Sequence, residues 1–190
     1  MPNIENERKF ILDPKIDLEK YLRKNIKTLG LTVIEIDQCY LSRSGRIRKS
    51  QYQYVKGKSR KKVDYSFTCK YSMEKTKRMG NLEFEMKISK ETWINAYPET
   101  FEKIRKTRYV FPKILDEKWE IDFITDDKGT YAIIAECEMP ADRENVNLIP
   151  TFVSEHLLKE IKHGNKNWNN RNLGNREVVE KMKEDLKNGE

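Results

Sequence analysis

Histidine is scarce in this chain of 190 residues, with only His156 and His163 present. Neither lies near a recognisable nucleophile, and no Ser-His-Asp arrangement is present. The eight glycines form no phosphate-binding loop of the Gly-rich type. Three cysteines, Cys39, Cys69 and Cys137, stand at unrelated spacings. An odd count without a ligand pattern argues against a disulfide framework or a zinc knuckle, and a reducing, cytoplasmic setting is expected. No apolar run approaches membrane-spanning length, and the N-terminus lacks the apolar core of a signal peptide, so no membrane partner is expected.

What the chain does contain is charge. Charged residues make up 36% of it and hydrophobic residues 37%, while 10% aromatics set it apart from a disordered polymer. A formal net charge of +7 points to an anionic partner such as a nucleotide, nucleic acid or polyphosphate. The length suits one domain spanning 1–190, and no repeat or linker divides it.

Strands dominate the reading, with a few helices between them. A helix is expected over 17–29, with Asp13 or Asp17 as its cap and Gly30 as its stop. Ser89 caps a short helix ending before Pro98, and Thr151 caps another running to Ile161. A terminal amphipathic helix occupies about 175–188, with Val178, Val179, Met182 and Leu186 on one side. The stretch GRIRKSQYQYV (45–55) reads as a strand and KGKSRKK (56–62) as a polar basic loop after it, while 49–62 also counts as a long basic loop region.

The strands share an unusual alternation. Glu5, Glu7 and Lys9 occupy one parity of the first strand, with Ile4 and Phe10 on the other. Glu83, Glu85 and Lys87 repeat the pattern, as do Glu120 with Asp122, and Glu136 with Glu138. Basic pairs follow the same rule: Arg46 with Arg48, and Lys106 with Arg108. Period two places each set on one face of its strand. An open sheet with a solvated outer face would explain any single strand. It explains the set less well, because carboxylates at i and i+2 repel unless a cation neutralises them. Four acidic pairs beside matching basic pairs suggest a site for a divalent metal and a multiply charged anion.

Closing such strands on themselves gives an α+β fold: a closed antiparallel β-barrel of about eight strands, charged inside, with helices packed outside. At this point the residues resemble a known family. Glu5-x-Glu7-x-Lys9 is similar to the ExExK signature of the CYTH superfamily, the triphosphate tunnel metalloenzymes. The resemblance continues through QCYL (38–41), RIR (46–48), FTCKY (67–71), LEFEMKI (82–88), RKTRY (105–109), WEIDFI (119–124) and AECEM (135–139). It fades at NKNWNNRNL, where Asn167-Trp168 stands in place of the family's Arg-Tyr.

The resemblance implies an antiparallel tunnel that binds a triphosphate and carries Mg2+ or Mn2+ on glutamates. It assigns Glu5, Glu7, Glu136 and Glu138 as leading metal ligands, with Glu83, Glu85 and Asp122 in support. Lys9, Arg46, Arg48, Lys70, Lys106 and Arg108 become the triphosphate clamp, and Glu5, Glu7, Lys9, Glu136 and Glu138 the catalytic set. Lys87 and Glu120 stand at strand ends where either could turn to solvent. The implied reaction is metal-assisted in-line attack of water on the terminal phosphate of tripolyphosphate or a nucleoside triphosphate. ATP cyclisation, RNA 5′-triphosphate hydrolysis and non-catalytic binding of a phosphorylated ligand are the alternatives. RNA is a further possible partner through the basic stretch and its neighbours Tyr52 and Tyr54. The paired positions are all charged and none reads a base, so a base pocket would have to come from the stretch 49–62, and tripolyphosphate is expected to serve at least as well as ATP.

Overall fold

A computed structural model describes residues 3–14, 17–41, 45–72, 81–97, 102–161, 165 and 167–187, with the backbone alone described at 3–5, 72, 81 and 186–187. Its nine strands are β1 (Asn3–Leu12), β2 (Thr32–Tyr40), β3 (Gly45–Val55), β4 (Lys58–Ser72), β5 (Asn81–Lys87), β6 (Lys103–Val110), β7 (Lys118–Asp126), β8 (Gly129–Met139) and β9 (Leu157–Ile161). They form one sheet in the order β5-β4-β3-β2-β6-β7-β8-β1-β9, antiparallel throughout.

The sheet does not close into the expected eight-stranded barrel. Strand β1 meets β5 only from Asn3 to Glu5, opposite Glu83, Leu82 and Asn81. From Lys9 onward that edge of β1 is taken by β9, with Lys9 opposite Ile161 and Phe10 opposite Glu160. The expected helix over 151–161 is corrected for the same reason. Only Thr151–Ser154 (α3) is helical, with Pro150 rather than Thr151 at its cap. The residues after it pair instead with an edge whose N–H and C=O groups need partners.

Helix contributes less than expected. Helices α1 (Leu18–Lys24) and α2 (Lys90–Ala96) have seven residues each, and α4 (Asn170–Leu173) is a single turn. The longest, α5 (Arg176–Lys187), is the expected terminal helix. Ser89 caps α2 as expected, its hydroxyl accepting from the Thr92 N–H at 3.0 Å. Asp17 begins α1 but makes no side-chain cap bond; its carboxylate accepts from Lys20 at 3.1 Å.

The basic stretch 56–62 is not a loop. It is the turn and first part of a long hairpin, with Tyr54 opposite Ser59 and Tyr52 opposite Lys62. Lys56 and Gly57 make the turn at φ 50° and 75°, the left-handed pair that matches strand twist in a two-residue hairpin. Gly57 is also held close, since a Cβ there would lie 3.1 Å from the Lys27 carbonyl oxygen.

Packing follows the two parities. On the uncharged parity, Phe10, Leu12, Tyr109, Trp119, Ile121 and Phe123 are buried with Leu18 and Leu22 of α1. Helix α2 inserts Trp93 over Cys39 and Ile47, with Tyr65 and Phe67 packed alongside. The charged parity is not charged throughout. Ile11, Ile104, Ile124 and Ile134 share the parity of their charged neighbours, yet they form an apolar cluster with Trp168, Leu173 and Val179. Burial of each such large side chain stabilises by roughly 1.5–3 kcal/mol. Trp168, at the point of departure from the family pattern, therefore serves the core. Arg176 fastens α5 to the sheet through Asp126, its Nε and Nη2 each 2.6 Å from a carboxylate oxygen. Those bonds hold Asp126 at a pKa of about 2.

Candidate functional site

A cavity of about 310 Å³ lies within the curve of the sheet, against the charged parity. The walls divide by strand. β3, β4 and β6 supply Arg46, Arg48, Lys70 and Arg108, whereas β7, β8, β1 and β5 supply Glu120, Glu136, Glu138, Glu7, Glu83 and Glu85. Lys118 and Lys87 stand on the acidic side as well. The alternation of the sequence thus becomes a basic arc and an acidic arc around one space.

Arg108 is the hub of the acidic side. Its Nε lies 2.6 Å from Asp122 and its Nη2 2.8 Å from Glu136, while Nη1 contacts Glu120. Burial opposes its charge, but Asp122 and Glu120 outweigh that and hold its pKa well above the usual arginine value. Lys9 bridges Glu7 at 2.9 Å and Glu136 at 2.6 Å. Against the cost of burial, Glu136 and Glu7 raise the Lys9 pKa. Burial likewise opposes the charge of Glu136, yet Lys9 and Arg108 pull its pKa well below the carboxylate range. Lys118 spans Glu120 at 2.5 Å and Glu138 at 3.1 Å.

Lys106 and Asp122 form a fully buried ion pair beneath Arg108, outside the cavity lining. Burial, reinforced by Arg108, lowers the Lys106 pKa to about 8 even though Asp122 opposes the shift. One carboxylate shared between two buried cations cannot fully satisfy both. Asp122 itself is lowered: burial raises it, but Arg108 and Lys106 prevail.

The basic arc is differently built. Arg48 donates from Nε and Nη2 to Gln38 Oε1 at 3.2 Å each, a neutral acceptor. Gln38 in turn donates to the Tyr40 hydroxyl at 2.9 Å. Burial first, then the nearby Arg46 and Arg108 charges, push the Arg48 pKa down to about 10. Arg46 reaches Glu83 at 3.4 Å, and its buried Nε has no hydrogen-bond partner among the described residues. Lys70 lies 3.4 Å from Glu83. Two guanidiniums side by side, the half-buried Arg48 held by an amide and the buried Arg46 with an idle donor, are arranged for an anion.

Of the residues expected from sequence, Glu7, Arg46, Arg48, Lys70, Glu83, Glu85, Arg108, Glu136 and Glu138 line the cavity. Lys9, Lys106 and Asp122 stand behind its wall in ion pairs. The side chain of Glu5 falls outside the described residues. Glu120 and Lys87 both line the cavity, as does Lys118, which the sequence reading omitted. Lys118 is two residues before Glu120, so extending the parity by one step would have found it. Asn170, from the segment where the family pattern fades, also lines the cavity and accepts from Lys106 at 3.5 Å.

The donors present suit a hard cation: every acidic group on the wall is an oxygen ligand. Glu7 stands opposite Glu138 across β1 and β8, and Glu136 opposite Glu120 across β8 and β7. Like charges placed directly opposite destabilise a sheet unless something neutralises them, and here Lys9 and Lys118 bridge the four glutamates. Among the described residues, no three His, Cys, Asp or Glu side chains gather as a metal site. Mg2+ bound with phosphate needs only one or two carboxylates, so these residues fit such an ion.

No protein-family model matches the sequence, and no curated protein matches it. Among solved structures, the chain is similar to the inorganic triphosphatase NE1496 at 20% identity, covering 89% of this chain and 93% of that one, with a TM-score of 0.47. It is similar to the PH1819 protein from Pyrococcus horikoshii OT3 at 15% identity, 97% and 89% coverage, and a TM-score of 0.45. A third is the putative adenylyl cyclase HpAC1 from Hippeastrum, described as having a dominant triphosphatase activity, at 14% identity, 72% and 80% coverage and a TM-score of 0.40. With TM-scores under 0.5, any case for activity rests on the residues themselves.

Proposed function

We propose that this chain is a divalent-metal-dependent triphosphatase that hydrolyses the terminal phosphate of tripolyphosphate or a nucleoside triphosphate. The observation that carries the reading is the division of one cavity into two arcs, with Arg46 and Arg48 lacking the strong carboxylate pairing that occupies Arg108. A chain of phosphates supplies the negative charge these guanidiniums lack. The CYTH motifs of the sequence agree with this reading.

Arg46, Arg48 and Lys70 grip the phosphate oxygens and stabilise charge that builds on the terminal group. Glu7 and Glu138 would hold Mg2+ or Mn2+, with Glu136, Glu83 and Glu85 in support, and the ion would supply Lewis acidity toward the phosphate oxygens. Lys9 and Lys118 hold Glu7, Glu136 and Glu138 in place through ion pairs. Water adds in line to the terminal phosphorus and gives up a proton to solvent, the bridging P–O bond breaks, and the products are orthophosphate and the shortened chain.

Phosphate release should be measured over tripolyphosphate, ATP, GTP, thiamine triphosphate and 5′-triphosphate RNA, with Mg2+ or Mn2+. Turnover is expected to stop in excess chelator, and Glu7→Gln should remove most of it without unfolding the domain. Full activity in chelator refutes the metal dependence. Cyclic nucleotide with pyrophosphate as the products from ATP would make the chain a cyclase instead.

A further inference from the structure

Strand β3 carries Arg46, Arg48, Ser50 and Tyr52 on its cavity parity, so the wall changes character within one strand. The two basic residues are followed by a hydroxyl and an aromatic ring. β2 repeats the change, whereas β4 stays polar. On β2, Gln38 opposite Arg48 gives way to Ile36 opposite Ser50 and Ile34 at Tyr52. On β4, Ser66 opposite Arg48 gives way to Asp64 opposite Ser50. Ile34, Ile36, Ser50, Tyr52, Asp64 and Ser66 all line the cavity. Ile34 also stands opposite Arg108 on β6, so this portion adjoins the basic arc.

An inorganic phosphate chain is charged along its whole length and gains nothing from Ile34, Ile36 or the Tyr52 ring. Burying its oxygens there would cost solvation without return. A ring with an attached polyol is a different matter. Tyr52 offers a face for stacking, Ile34 and Ile36 an apolar bed, and Ser50, Ser66 and Asp64 partners for hydroxyl groups. Lys62 keeps this end in order: its ammonium is bonded to Asp64 and lies 5.3 Å from the Tyr52 ring centroid.

We infer that this portion of the cavity is a subsite for the organic group of the substrate, and that the chain favours a nucleoside triphosphate over inorganic tripolyphosphate. The inference rests on the triphosphatase reading for the phosphates and adds what lies at their ester end. It also replaces the expectation that no residue on the charged parity reads a base. That expectation left any base pocket to the stretch 49–62, and Tyr52 lies within it as a strand residue on the same parity as Arg46 and Arg48.

The test compares binding of tripolyphosphate with that of adenylyl imidodiphosphate, a non-hydrolysable ATP analogue, by calorimetry on the wild-type chain, Tyr52→Ala and Tyr52→Phe. Initial rates on tripolyphosphate and ATP accompany it. Stacking of one base on one aromatic ring supports an expected preference of about 10-fold for the nucleotide. Tyr52→Ala should erase that preference, and Tyr52→Phe, which keeps the ring, should retain it. Circular dichroism confirms that each variant is folded. Equal or tighter binding of tripolyphosphate by the wild type overturns the inference, as does an equal loss for both ligands in Tyr52→Ala. Tight, Tyr52-dependent nucleotide binding without hydrolysis upholds the subsite and refutes the triphosphatase reading. Binding of neither ligand refutes both.

Discussion

Arg48→Ala is expected to lower kcat/KM for the preferred triphosphate by about 10²-fold or more while leaving the melting temperature nearly unchanged. The rate effect is the scale for removing one preorganised electrostatic contact to the transition state. The stability effect follows from its partner. Arg48 is bonded to the amide of Gln38, so its loss leaves no carboxylate stranded. It even relieves repulsion from Arg46 and Arg108, the neighbours that help to depress its pKa. Steady-state kinetics at subsaturating substrate and a thermal melt check the two halves together. Near-wild-type kinetics would mean that Arg48 does not meet the phosphates.

Arg108→Ala should behave in the opposite sense, as a folding defect. Its guanidinium contacts Asp122, Glu120 and Glu136, each with a side chain almost wholly buried. Removing one partner of a buried ion pair destabilises by roughly 3–5 kcal/mol, because the remaining charge has neither water nor a counterion. Lys106 and Lys118 can offset only part of that loss, since each is already bonded to one of these acids. Urea denaturation measures it. A variant as stable as the wild type would show that the acidic arc relaxes by taking up water. Arg48 and Arg108 look alike in the sequence, and this pair of measurements separates the cation held for a ligand from the cation held for the fold.

That distinction could not be read from the residues alone. Period two is a geometric property of extended chain, so the parity of Glu7, Arg46, Arg48, Glu136 and Glu138 was legible from spacing. Which acid neutralises which base depends on register between strands distant in sequence, as with Lys9 and Glu136. The same limit hid the apolar cluster on the charged parity, because Ile11, Ile104, Ile124 and Ile134 read as ordinary strand residues until the sheet curls them together with Trp168. Leu157–Ile161 was misread because LLKEI suits a helix or a strand, and only the edge of β1 chooses between them. The full-length closure was also misjudged, since nothing in the spacing of β5 reveals that it follows β1 for only three residues.

The β3–β4 hairpin has a kinetic consequence. Lys56, Lys58, Arg60, Lys61 and Lys62 are all exposed on it, and no acid occurs between residues 49 and 63. Around the cavity itself, acids and bases nearly balance, so a polyanion diffusing in solution feels chiefly the hairpin. Such a field acts on encounter and is screened over about 10 Å at 0.1 M salt, whereas contacts inside the cavity are screened much less. In stopped-flow measurements, raising ionic strength should therefore slow association of the triphosphate steeply and change its dissociation little. Replacing Lys58, Arg60 and Lys61 together by Gln should flatten that salt dependence, giving this exposed ribbon the role of a lure that sets how often the substrate arrives.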